Sequence, residues 1–284
     1  MSTPSIAFIG ITESGKTHSI TLLGITAVEL ELKGLAHILI DEDTLPLHEF
    51  MESVRDGRVL DPTKINPDEK TFGCKIHLSY PKWGGLTKKK VTITPLDASG
   101  ELLKAVMQNL PNVRTVDELI KRMQEKGYPI TRQDVDNIRN FILSADGYIL
   151  TIDLPVLLGG KSGDRRIEQN IGLVRFMRQL RDFRRRAFRA PHLRGMAVLL
   201  TKTDLAIPDV KSEQDVDGIL RKYLSSLIPE LNEVKEKGGK IGLFHSWLKV
   251  IEENGFRRIE TIDHMPVYSY DQYEKLLFWI RDTF

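Results

Sequence analysis

The stretch Ser5-Ile6-Ala7-Phe8-Ile9-Gly10-Ile11-Thr12-Glu13-Ser14-Gly15-Lys16-Thr17 decides how this chain folds. An apolar run ends on Gly10, the spacing G-x-x-x-x-G-K-[ST] follows, and a long apolar and polar helical pattern begins at Lys16. A glycine-rich turn between a strand and a helix aims backbone N–H groups and the positive end of the helix at one point, which makes it a cradle for phosphate. In such a cradle Lys16 reaches the β and γ phosphates and Thr17 offers a hydroxyl to Mg²⁺.

Working outward, short apolar runs at 5–10, 71–80, 91–96, 147–153, 195–201 and 266–269 read as strands. Helical patterns occupy 16–32, 101–110, 115–126, 132–144, 164–189, 213–237, 242–254 and 271–284. Thr115 and Glu118 have the spacing of a capping box. Strands alternating with helices predict an α/β fold with a mostly parallel sheet and helices on both faces. Gly84-Gly85 between the second and third runs makes those two strands an antiparallel edge hairpin. At 284 residues, against roughly 150 per domain, the chain is expected to be a single domain over 1–284 with helical insertions at 111–132 and 206–260.

With 41% hydrophobic and 28% charged residues, the composition is that of a globular protein and excludes a disordered tail. The net charge of +2 gives no global field toward nucleic acid or membrane. Cys74, the single cysteine, can form no internal disulfide, in keeping with a cytoplasmic location. The amino terminus lacks a signal pattern, neither end carries a lipidation motif, and no run is apolar enough to be a transmembrane segment.

Two further motifs bear on chemistry. Thr201-Lys202-Thr203-Asp204 follows the apolar run 195–201 and fits [NT]-K-x-D. A carboxylate at Asp204 can accept from the ring N–H and exocyclic amine of guanine, groups that adenine lacks, while the stem of Lys202 covers the base. Asp97-Ala98-Ser99-Gly100 has the form D-x-x-G, with Asp97 suited to hold Mg²⁺ through water and Gly100 to contact a γ phosphate.

In this order the three motifs resemble those of the Ras-like small GTPases, in the translation-factor class of P-loop NTPases. The resemblance spans most of the chain. The long interval before D-x-x-G and the stretch Asp56-Gly57-Arg58-Val59-Leu60-Asp61-Pro62-Thr63 are more similar to prokaryotic Ras-like GTPases, including the double-GTPase group of bacterial conflict systems, than to eukaryotic ones. It implies a molecular switch that hydrolyses GTP to GDP with Mg²⁺ and is read by effector and regulatory proteins. Glu13, Ser14, Gly15, Lys16, Thr17, His18, Thr201, Lys202 and Asp204 would contact nucleotide. Ser269 stands where the family has the serine of S-A-K, with Tyr270 beside it. Mg²⁺ would be held by Thr17, Asp97 and a switch threonine, Thr63 or alternatively Thr71.

Departures from the family temper the rate. Glu101 replaces the glutamine that orients the attacking water, and its charge beside an anionic phosphate predicts slow unaided hydrolysis. Glu101 and Glu13 keep an alternative in view, a GTP-binding scaffold or receptor subunit with little turnover. From Arg175 to Arg194 there are eight arginines and one acid, Asp182. Helical periodicity gathers Arg175, Arg178, Arg181, Arg185, Arg186 and Arg189 on one face, predicted to meet solvent and to suit an acidic protein, anionic lipid or RNA phosphate, with peripheral recruitment to the inner membrane surface as one outcome.

Overall fold

The computed structural model describes residues 4–10, 14–42, 47–60, 71–81, 88–93, 96–98, 100–159, 163–188, 193–206 and 210–284. Its first strand, β1 (Ile6–Ile9), leads through the glycine loop into α1 (Lys16–Leu32), matching the expected bounds. Then come β2 (His37–Glu42), α2 (Leu47–Arg55), β3 (Thr71–Pro81), β4 (Lys88–Ile93) and β5 (Leu96–Ala98). A helical stretch follows with α3 (Gly100–Asn109), α4 (Val116–Glu125) and α5 (Arg132–Asn137). After it lie β6 (Gly147–Asp153), the single turn α6 (Leu154–Leu157), the long α7 (Gly163–Ala187) and β7 (Gly195–Thr201). The remainder holds α8 (Glu213–Tyr223), α9 (Ile228–Glu236), β8 (Lys240–His245), β9 (Val250–Glu253), β10 (Phe256–Ile259), β11 (Thr261–Ile262), β12 (Met265–Pro266) and α10 (Tyr270–Thr283).

The chain is α/β. A parallel sheet runs in the order β1-β6-β7-β8, with Ile6, Gly147, Gly195 and Lys240 aligned across it. Every residue of β1, β6 and β7 is buried, which is why these strands read as continuous apolar runs rather than alternating ones. The side chains still obey the two-residue period of a strand. Ile6, Phe8, Ile149, Ala197 and Leu199 pack toward α1 and α10. Ala7, Ile9, Leu150, Ile152, Val198 and Leu200 pack toward α3, α7, α8 and α9 on the other face.

The expected antiparallel hairpin is present as β3 and β4, with Leu78 opposite Val91. It belongs to a larger antiparallel sheet, ordered β2-β3-β4 with β5 also on β3, and β4 and β5 pack beside β1. The run 91–96 therefore divides, its end contributing to β5. Thr115 and Glu118 form the capping box, repeated at Thr131 with Asp134 and at Ser212 with Asp215.

Four elements differ from expectation. The helix expected over 213–237 is broken between α8 and α9, because Pro229 is accepted in a first turn and not in a helix interior. The helix over 132–144 widens to a π-helix at Ile138–Leu143, which turns Ile138, Ile142 and Leu143 into the core. Residues 242–254 are not helical at all: they hold most of β8 and all of β9, and β8 is the outermost strand of the parallel sheet. Consequently 266–269 is not a sheet strand; only Pro266 falls in β12, which forms a small hairpin with β11. The region 206–260 thus carries strands as well as helices. Among the described residues no helix is long and apolar enough to cross a membrane.

Candidate functional site

Two loops meet at the carboxyl end of the parallel sheet. The first is Gly10–Thr17, of which Ile11, Thr12 and Glu13 lie outside the described residues. Gly15 is the N-cap of α1 at φ 82°, a left-handed conformation that glycine adopts without a steric penalty. Gly10 is required by close approach: a Cβ there would stand 2.1 Å from Thr151 Oγ1 and 2.8 Å from the Thr151 carbonyl oxygen. Thr151 Oγ1 donates to the Ile9 carbonyl at 3.2 Å, so in its 3.0 Å contact with Ser14 it is the serine hydroxyl that donates. Lys16 is only 7% exposed and curls back over the loop to donate from Nζ to the Gly10 carbonyl at 3.0 Å. The first turn of α1 holds no acidic residue and its N-cap makes no side-chain hydrogen bond, and the positive end of a helix favours an anion.

The second loop, Thr201-Lys202-Thr203-Asp204, leaves β7 one strand beyond β6. Thr201 Oγ1 donates to the Ser14 carbonyl at 2.7 Å and so ties the two loops together. Lys202 takes a left-handed conformation at φ 57°, uncommon outside glycine, and its Nζ reaches Asp153 Oδ2 at 2.5 Å. Asp153 is itself fixed: it caps α6 through Val156 N–H at 3.0 Å, and its main chain exchanges hydrogen bonds with the Gln169 amide. Asp204 is exposed at the rim. Partial desolvation lifts its carboxyl above the usual carboxylate value, opposed by its own backbone amide and by the charge of Lys202.

His18, in the first turn of α1, stands between the loops. Burial pushes its pKa down from 6.5 to about 4, with the Lys202 charge acting in the same direction. Between those two values the unfolded chain binds the proton that the folded chain refuses, so the stability His18 contributes is complete above about pH 6.5 and is lost as pH falls through about 4. Urea titrations at pH 7 and pH 4 are expected to differ by on the order of 3 kcal/mol from this group, a difference that His18→Gln should remove.

The position after the last sheet strand was misassigned at the sequence level. Because β8 ends at His245, the residues that follow it are Ser246 and Trp247, and these close the site. Thr203 donates from both N–H and Oγ1 to the Ser246 carbonyl at 3.1 and 3.2 Å, and Ser246 N–H donates to Leu200 at 2.7 Å. Ser246 Oγ lies 2.6 Å from Tyr273 Oη, whose pKa is pushed up to about 12 by burial and which also bonds Ser19 of α1. The available signal was Gly238-Gly239 followed by Ile241-Gly242-Leu243-Phe244, a short apolar run set off by a turn.

Ser269 does not offer its side chain as expected, since its Oγ accepts the Trp247 N–H at 3.1 Å and pins that loop. Tyr270 is displaced further. Its hydroxyl accepts from Lys33 Nζ at 2.7 Å, beyond the far end of α1, which over 17 residues is about 25 Å of helix axis from Lys16. Asp97 is paired with Phe72 in β5, Thr71 with Ala98, and Gly100 and Glu101 open α3. Thr63 lies outside the described residues. Among the described residues no group of three or more His, Cys, Asp or Glu side chains is arranged for a metal.

The arginine face of α7 meets solvent as expected at Arg175, Arg178, Arg185 and Arg186, while acids of α9 balance part of its charge. Arg178 Nε meets Glu230 at 2.6 Å, and Arg181 binds Glu230 at 3.1 Å and also Glu233, both acids from α9. Arg184 is buried, donating to the Ala145 carbonyl and to Tyr148 Oη. Arg189 lies outside the described residues. At the end of α2, Arg55 faces Glu29 at 3.7 Å, and Arg58 just beyond it pairs with Asp56 at 2.8 Å. No protein-family model matches this chain, and no curated protein matches it.

Proposed function

We propose that the chain is a guanine-nucleotide switch of the Ras-like P-loop class, binding GTP and hydrolysing it slowly to GDP and phosphate. The observation that carries this reading is the meeting of the loops after β1 and β7, the strands on either side of β6, joined by the 2.7 Å bond from Thr201 Oγ1 to the Ser14 carbonyl. One loop suits a phosphate chain and the other suits a purine edge. His18 of α1 and Lys202 of the second loop are near enough to interact electrostatically.

In this reading Lys16 moves from the Gly10 carbonyl to the β and γ phosphates, and the amides at the start of α1 cradle their oxygens. Water attacks the γ phosphorus, the bond to the β–γ bridging oxygen breaks, and GDP departs with that electron pair. The donor set suits Mg²⁺: a cation held chiefly by phosphate oxygens asks the protein for few ligands, and Thr17 directly with Asp97 through water would supply hard oxygen donors. Bound there, Mg²⁺ would neutralise charge on the β and γ oxygens. Glu101 at the head of α3, in place of a water-orienting glutamine, supports slow turnover and favours a GTP-binding scaffold as the second reading.

The test is competition of GTP and ATP for the purified protein with Mg²⁺, followed by phosphate release from the same sample. Preference for GTP with slow release is expected. GTP binding without release would replace the switch by the scaffold, and preference for ATP would remove the guanine assignment.

A further inference from the structure

The parallel sheet ends on an open edge, and the order of charges along that edge is self-complementary. Lys240 N–H donates to Arg194 at 3.0 Å and Ser246 N–H to Leu200 at 2.7 Å, so alternate residues of β8 from 240 to 246 bond toward β7. The backbone groups of Ile241, Leu243 and His245 therefore point away from it. Among the described residues β8 pairs with β7 alone. A groove of about 430 Å³ follows this edge, with Ile241 and Leu243 along it, Leu231 of α9 on one side and Trp279 of α10 on the other. Trp279 packs across Gly242 and against Phe244 at 6.2 Å between ring centroids, which holds that wall in place.

The charged residues of the groove are sorted by end. α8 runs opposite to β8, since Asp215 in its first turn is close enough to His245 at the end of the strand for their charges to interact. Glu213, in the first turn of α8, is thus at the His245 end. Lys235 closes α9, which turns through Gly238 and Gly239 directly into Lys240, so both lysines are at the start of the strand. Asp217 and Arg221 between them pair with each other at 2.6 Å. A strand edge with acid at one end and base at the other matches a copy of itself turned antiparallel, in which Glu213 of each chain faces Lys235 and Lys240 of its partner.

From this we propose that β8 is a homodimer interface: two copies join their edges antiparallel about a two-fold axis, making one continuous sheet through Ile241 and Leu243 and closing the edge that each leaves open. The interface is independent of the nucleotide reading.

Sedimentation velocity on the full chain from about 1 to 200 µM is expected to show a reversible monomer–dimer equilibrium. Leu243→Lys puts a charge on the joined edge and should weaken the dimer at least tenfold. Glu213→Lys and Lys235→Glu should each weaken it by about tenfold, and the double reversal should restore it to within about threefold of the parent. Both reversals lie on exposed positions and leave folding to be checked by circular dichroism, so the charge cycle decides the matter even where Leu243→Lys fails to fold. A parent chain that stays monomeric at low salt, or a dimer that ignores the reversals or is not restored by combining them, overturns the proposal.

Discussion

Lys16→Ala is expected to lower affinity for a guanosine triphosphate by about 100-fold to 1000-fold, the loss that follows when a charge aimed at phosphate in a water-poor loop is removed. The side chain is nearly buried, and it donates a hydrogen bond to the Gly10 carbonyl of the same loop. Removing that neutral acceptor bond costs the fold about 1 kcal/mol, because Ser14 remains tied to Thr151 and to Thr201. The two effects are separable. Isothermal titration with Mg²⁺ and GTP measures the first, and a thermal melt without nucleotide measures the second. Affinity retained within about threefold of the parent would take Lys16 out of phosphate binding, whatever the loop resembles.

How much of this site was legible follows from what each residue must satisfy. Gly10, Gly15 and Lys16 were readable because backbone geometry restricts them: one glycine abuts Thr151, the other is left-handed, and the helix begins where the pattern says. Thr201 to Asp204 was readable for a similar reason, following a strand buried on both faces. The end of the sheet was not. An apolar run as short as Ile241 to His245 cannot be told from a helix turn by periodicity, and the mistake moved the closing loop from Ser246 to Ser269. β2 and α2 were missed in the stretch before the antiparallel hairpin. The apolar run of β2, Ile38-Leu39-Ile40, is only three residues long before Asp41 and Glu42, shorter than the runs that mark a strand. The arginines of α7 were legible in their exposure and not in their partners. Helical periodicity sorts residues by face, but it carries no information about Glu230 and Glu233 arriving from α9 to occupy Arg178 and Arg181. Asp153 belongs to the same class, since nothing local in Ile152-Asp153-Leu154 announces that Lys202 will be held there.

Asp204→Asn should exchange the preferred base. A carboxylate at this position accepts from two donors on the guanine edge, and the partial desolvation that lifts its pKa strengthens such bonds relative to those in open water. An asparagine amide keeps one acceptor and presents one donor, so it opposes the exocyclic amine of guanine and matches the carbonyl that xanthine carries at the same carbon. One charge-assisted hydrogen bond to guanine is reduced to a neutral one, the other is lost, and one donor is left facing another. The penalty expected is about 3 kcal/mol, or roughly 100-fold in affinity for GTP, while affinity for XTP should rise until it exceeds that for GTP. Lys202 should be unaffected, because its charge is held by Asp153 at 2.5 Å rather than by Asp204, so the melting temperature without nucleotide should stay close to that of the parent. Paired titrations with GTP and XTP measure the exchange directly. An unchanged preference for GTP in a folded Asp204→Asn protein would remove Asp204 from the base site and leave Thr201–Asp204 a loop whose role is to brace Ser14 and Ser246.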